Sequence, residues 1–173
     1  MEYQARRRAA GKTVKGGPIK EIWNVHERIW IAKRLEAYPH HTILQQPAFQ
    51  GVKAPDGRMT SARKIAGKGR TPDFVEVRGD KVVAGDLKSA EELKRSVAGG
   101  LKKSKSVQGE FRPTTKIGGQ RIREQLILDE ARKQGGLVVI RGRDAGTGEL
   151  VTLEVDPANF SSELMTYEEV FPN

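Results

Sequence analysis

Two β-patterned runs meet at a Gly-Asp pair, and that junction restricts the fold more than any other stretch of the chain. Asp73–Val77 and Val82–Lys88 are rich in β-branched residues and are separated by Arg78-Gly79-Asp80-Lys81. Glycine supplies the positive φ of a type II′ turn, so Gly79-Asp80 predicts a two-residue hairpin. Arg78 then faces Lys81, Val77 faces Val82 and Asp73 faces Asp86. Opposed residues share a face with Cβ atoms about 4.5–5.5 Å apart. Side chains alternate along a strand, so Lys88 shares that face and Leu87 points away. An odd-numbered loop would break the register. The hairpin therefore gathers two carboxylates and one ammonium.

Directly opposed acids repel, and a cation has to offset them. Lys88 supplies part of that charge. A hard divalent ion does more, because Mg²⁺ favours one or two carboxylates completed by water and phosphate oxygens. The simpler alternative is that Asp73 only caps a Pro72-Asp73 turn while Asp86 and Lys88 form a surface ion pair of little energetic weight.

The charge distribution favours the first alternative. Of 173 residues, 31 are Lys or Arg and 22 Asp or Glu, giving a net charge of +9. Residues 94–123 hold nine bases and one acid, residues 52–70 six bases and one acid, and residues 144–173 seven acids and no Lys or Arg. Segregated charge of this kind marks a binding face for a polyanion. Cysteine is absent, which excludes a disulfide framework, a thiolate nucleophile and a Cys-based zinc site. No apolar run approaches the ~20 residues that span a bilayer. Arg6-Arg7-Arg8 is followed by no apolar core of a secretory signal.

The remaining chain predicts a mixed α/β domain with a central mixed sheet flanked by helices. Residues 1–18 read as a basic arm preceding one domain over 19–173. Apolar positions 19, 22, 23, 29 and 30 predict a helix over Ile19–Ala37, stopped at Tyr38-Pro39. Thr42–Phe49 predicts a strand and Val52–Thr71 a basic loop. Ser89-Ala90-Glu91-Glu92 is a capping box that opens a short helix. Gly99–Gly119 reads as a long, partly mobile basic loop. Gln120–Gln134 predicts a helix closed by Gly135-Gly136, with Gln120 and Arg123 reaching toward the cleft. Leu137–Arg141 and Leu150–Val155 predict strands, and Ser161–Val170 a last helix.

Thr71-Pro72-Asp73, followed after twelve residues by Asp86-Leu87-Lys88, resembles the signature of the PD-(D/E)xK nuclease superfamily. The element order over residues 19–141 resembles that family's restriction-endonuclease-like αβββαβ core. The resemblance implies a metal-dependent endonuclease in which Asp73, Asp86 and the Leu87 carbonyl hold Mg²⁺, with Mn²⁺ or Zn²⁺ as substitutes. It implies that Lys88 orients the attacking water, and that a helical glutamate, here Glu27, assists. The family more often has Glu at the position of Asp86. Arg70, Lys102, Lys103, Lys105, Arg121 and Arg123 are assigned to the phosphate backbone of a nucleic-acid partner, DNA ahead of tRNA or other RNA. The Gly/Lys/Arg loop running into Gly69–Val75, on a basic cysteine-free domain, is similar to C-terminal nuclease toxins of interbacterial competition. That likeness implies delivery into a target cell, action in its cytoplasm and an acidic immunity protein as partner, with no membrane role. A non-catalytic nucleic-acid-binding module is the reading from another functional class.

Overall fold

A computed structural model gives the structure of residues 17–103, 106–107 and 109–167. The chain divides into two compact units, Met1–Pro39 and His40–Asn173. The first contains helix α1 (Gly17–Ala37). It begins two residues before the expected start and ends where Pro39 denies the preceding residue helical geometry. The second unit holds the sheet and every residue of the hairpin site.

Seven strands form one mixed sheet: β1 (Thr42–Lys53), β2 (Met59–Ser61), β3 (Phe74–Arg78), β4 (Lys81–Lys88), β7 (Leu137–Asp144), β8 (Leu150–Val155) and β9 (Phe160–Thr166). Their order is β8-β7-β1-β3-β4-β9, with β2 paired to β1. Among the described residues only the β4–β9 pairing is parallel; the others are antiparallel. A separate two-stranded ribbon joins β5 (Leu101–Lys103) to β6 (Ser106–Val107). The helices of this unit are α2 (Ala62–Ala66), α3 (Ala90–Ser96) and α4 (Lys116–Gln134).

Local chemistry explains the helix ends. The Ser89 hydroxyl accepts the Glu92 N–H at 3.1 Å and starts α3. Thr115 does the same for Gly118 at 3.2 Å and starts α4, four residues before the expected onset. Gly135 closes α4 with φ 62°, and its N–H reaches the Ala131 and Arg132 carbonyls. One side of α4 then packs Ile127, Leu128 and Ala131 onto Leu44, Val75, Ala84, Val138 and Ile140 of the sheet. Each such aliphatic side chain contributes roughly 1.5–3 kcal/mol when fully buried. Two polar residues, Gln120 and Glu124, share that buried side; their partners define the site described next.

Three expectations are corrected. Val52–Thr71 is not a plain loop: β1 runs to Lys53, β2 pairs back onto it through Gly51–Lys53, and α2 follows. Gly99–Gly119 contains the β5–β6 ribbon and the start of α4. Ser161–Thr166 lies in strand β9 rather than a helix. Parallel pairing with β4 along Val82–Lys88 outweighs local helix compatibility, as tertiary context often does; residues 168–170 lie outside the described set. Among the described residues no helix is long and apolar enough to cross a membrane.

Candidate active site

The hairpin adopts the expected register from Phe74 to Gly85, and the strand pairing ends before Asp73 and Asp86. Phe74 pairs with Gly85, Val75 with Ala84, Glu76 with Val83, Val77 with Val82 and Arg78 with Lys81. Gly79 takes φ 64° at the turn. Beyond that ladder and out of its register, the Asp73 N–H donates to the Gly85 carbonyl at 3.0 Å. The Asp73 Oδ2 accepts the Leu87 N–H at 2.7 Å. Asp73 thus bonds to the strand bearing Asp86 and Lys88, and Asp86 lies on the face that α4 covers. Gly85 is required here for space: a Cβ on it would lie 1.9 Å from the Phe74 Cζ. The fully buried Phe74 ring occupies that position.

Asp86 is 1% exposed and Arg70, in the loop before β3, is 0% exposed. The two Nη atoms of Arg70 donate to the two oxygens of Asp86. The Arg70 Nε donates to Glu124 Oε2 at 2.8 Å, and Nη1 also to Gln120 Oε1 at 3.2 Å. Glu124 in turn accepts from Ser162 Oγ on β9 at 2.5 Å and lies 3.4 Å from Arg121 Nη1. Burial pulls the Arg70 pKa down, but Asp86 and Glu124 outweigh it and hold it above the ordinary value, so the guanidinium stays charged. The Lys88 ammonium lies 3.3 Å from Glu92 on α3.

Burial, then the negative charge of Asp86, pushes the Asp73 carboxyl up to about 6; the Leu87 N–H, Lys88 and Arg70 oppose the shift. Two acids forced together with too little positive charge are a recurrent mark of functional sites.

Arg70, expected at a phosphate backbone, is instead a buried partner of Asp86. Its three partners lie 16, 50 and 54 residues along the chain, beyond the reach of any local pattern. Glu124 and Ser162 were not singled out from the sequence. The available signal was a polar pair, Gln120 and Glu124, spaced four apart on the side of α4 that otherwise buries Ile117, Ile127, Leu128 and Ala131. Glu27 is half-buried on α1 of the first unit, and the cluster above is built wholly from the second. Arg121 and Arg123 are half-buried on α4. The Arg121 guanidinium lies 5.7 Å from the Phe111 ring centroid. The Arg123 Nε is buried without a hydrogen-bond partner among the described residues. Lys102 and Lys103 belong to β5, whose side chains are outside the described set, as is Lys105.

The other face of the hairpin holds a second polar cluster. Glu76, 0% exposed, lies 3.3 Å from His41 Nδ1 and pairs with Arg78. Arg78 forks onto Glu163 of β9 at 2.8 and 3.1 Å, which with Glu76 raises its pKa despite partial burial.

The donors near Asp73 are carboxylate oxygens, and the Leu87 carbonyl follows on the same strand. No group of three or more His, Cys, Asp or Glu side chains that could hold a metal ion occurs among the described residues. A two-carboxylate site completed by water suits Mg²⁺ or Mn²⁺. Zinc, which takes three or four protein ligands rich in N and S, does not fit it. Comparison with known proteins adds nothing to this geometry: no protein-family model, no curated protein and no solved structure matches the chain.

Proposed function

We propose that the second unit is a divalent-metal-dependent nuclease with a restriction-endonuclease-like core, cutting DNA in preference to RNA. The observation that carries this reading is Asp73, bonded to β4 at Gly85 and Leu87, with its carboxyl pushed up to about 6 by burial and then by the negative charge of Asp86. Phosphodiester hydrolysis adds negative charge to an anionic centre, and a bound metal would supply the screening and the activated water that this requires. Asp73 and Asp86 would hold that ion, with the Leu87 carbonyl beside them. Lys88 is a compact, mobile charge suited to hydrogen-bonding a nucleophilic water or the scissile phosphate. The Arg123 guanidinium, whose buried Nε has no hydrogen-bond partner among the described residues, would take a backbone phosphate through its outer nitrogens. The bases of residues 94–123 would add salt-dependent, sequence-independent affinity, and an acidic inhibitor protein would compete for the same surface.

Purified chain incubated with plasmid DNA and with total tRNA, with Mg²⁺, Mn²⁺ or chelator, tests the proposal. Metal-dependent cleavage that falls sharply in Asp86→Asn and in Lys88→Ala is expected. Absence of cleavage with every metal, or full activity in both variants, would refute it.

One observation favours a second reading. Both Asp86 oxygens are engaged by Arg70, and Lys88 pairs with Glu92, as in a cluster that only braces a nucleic-acid-binding module. Binding to plasmid without cleavage would support that reading.

A further inference from the structure

We infer that a groove across β1 and β7, lined by Gln45, Gln46, Gln50, Arg141 and Arg143, seats a single strand of nucleic acid. The inference rests on the nucleic-acid partner of the reading above and adds where a strand lies; it needs neither a metal nor a cleavage step.

Alternation places the groove. Ile140 packs in the core with α4, so Arg141 and Arg143 project from the opposite face of β7. Gln45 pairs with Arg143, and Arg143 with Leu150 of β8. On its other side Gln45 pairs with Phe74, the residue after Asp73. This row across four strands spans roughly 14 Å at the usual inter-strand spacing, the length of about four stacked nucleotides. A groove of about 350 Å³ lies along it. Gln46, Gln50, Arg141 and Arg143 are exposed.

The groove is built around a fixed distortion. β1 carries an irregularity between Gln45 and Ala48. Within it Gln46 takes φ 48°, the one positive φ at a non-glycine residue among those described. Gly142 on β7 makes room: a Cβ there would lie 2.9 Å from the Leu44 Cβ and 3.1 Å from the Pro47 Cα. Pro47 is buried, and the Gln50 side-chain amide donates to the Ala48 carbonyl at 3.2 Å. Bulges re-aim the side chains around them. Here Gln46 is left exposed beside Gln45 and two guanidinium groups. Glycine would fill that backbone position without strain; glutamine adds an amide at the groove.

The lining chemistry names the occupant. Among the described residues no carboxylate lines the groove. Arg143 Nη1 donates to the Gly148 carbonyl at 2.7 Å, which fixes the guanidinium and leaves it further donors. Arg141 forms no ion pair among the described residues. Guanidinium groups two positions apart on one strand face suit the phosphates of a backbone running past them. Glutamine amides carry a donor and an acceptor together and pair with base edges, adenine above all. An acidic protein surface would call only for the donors. Leu150, 51% exposed, adds an apolar rim for a base or sugar.

Fluorescence anisotropy of labelled single strands of DNA and of RNA, about 12 nucleotides long, in chelator and across a salt series, tests the inference. Wild type should bind. Arg141→Ala should bind about 5- to 10-fold more weakly, with a salt slope smaller by about 0.7. Gln46→Gly suits the left-handed backbone and should cost about 5-fold in affinity without lowering the thermal midpoint. Lys81→Ala, an equal change of charge at the hairpin turn, should cost less than about 2-fold, because salt screens distant exposed charges. Equal losses in Lys81→Ala and Arg141→Ala would overturn the inference, since net charge alone would then explain them. Wild-type affinity in Arg141→Glu would overturn it too, and loss of polyglutamate binding in that variant would give the groove to an acidic protein instead. No binding of either strand by wild type would overturn it whatever plasmid cleavage shows. The expected losses of binding in a chain that never cleaves plasmid would remove the nuclease reading and leave the groove in place.

Discussion

The two faces of the β3–β4 hairpin each bury a carboxylate against an arginine, yet they are built to different ends. On one face Glu76 is met by His41 and Arg78, and Arg78 reaches on to Glu163. Charges alternate, and the cluster binds β9 to β3 across β4. On the other, Asp86 and Glu124 share Arg70, while Asp73 is left against Asp86 with its carboxyl pushed up to about 6. Matched charge holds strands together; an excess of one sign, kept half-buried, stores a demand for a cation. The contrast separates a structural ion cluster from a candidate catalytic one within a single hairpin.

Substitutions at the two acids should split activity from stability. Asp86→Asn should lower plasmid cleavage by 10³-fold or more, about 4 kcal/mol at the transition state by the factor-of-ten rule. Glu76→Ala should leave turnover intact but lower stability by about 1–3 kcal/mol, because it removes one acid from the half-buried Arg78 and leaves it paired with Glu163; urea unfolding and a cleavage assay on the same sample would separate the two effects. Equal loss of activity in both variants would erase the distinction. Lys88→Ala should lower the rate roughly 10²-fold, the lower range for a positioned proton-handling group. Its stability should change by less than about 1 kcal/mol, since its pair with Glu92 is partly solvated.

Gly85→Ala tests the Phe74 ring that covers Gly85. With Phe74 in the place of the new methyl, overpacking should destabilise by about 1–3 kcal/mol, visible as a lower thermal midpoint.

Asp73 gives a stability effect of opposite sign. Its folded pKa of about 6 lies above the ordinary 3.8, so the native state binds more protons than the unfolded chain between those values. Stability therefore falls as pH rises through that window, and the penalty is complete above pH 6. Asp73→Asn should raise the thermal midpoint above pH 6, with the gain vanishing below about pH 4, while cleavage is lost. A variant less stable than wild type at pH 8 would show that Asp73 is structurally matched like Glu76.

The hairpin was legible because its information is local: a period-two pattern, a glycine at the turn and a register fixed by both. Ser89 and Gly135 were legible as helix caps for the same reason. What stayed hidden depends on distance. Arg70 looks like one more base in a basic loop until Glu124 and Asp86 close around it. Ser161–Thr166 carries no strand signal stronger than its helical one, and only the open edge of β4 decides between them. Met59–Ser61 becomes a strand because Gly51–Lys53 lies beside it.

The parallel pairing of β9 with β4 also has a temporal side. Asp86 sits opposite Leu164 and Lys88 opposite Thr166, and Ser162 completes the hydrogen bonds of Glu124. A ribosome releases both aspartates, the lysine and Arg70 well before it releases the strand that flanks them. Until then β4 is an open edge and the cluster lacks its last donor. Such late, non-local closure is intrinsically slow. Assembly of the cleft thus trails synthesis of its chemical groups, and a chain cut short before β9 would carry every acid of the site in a sheet that has not closed around them.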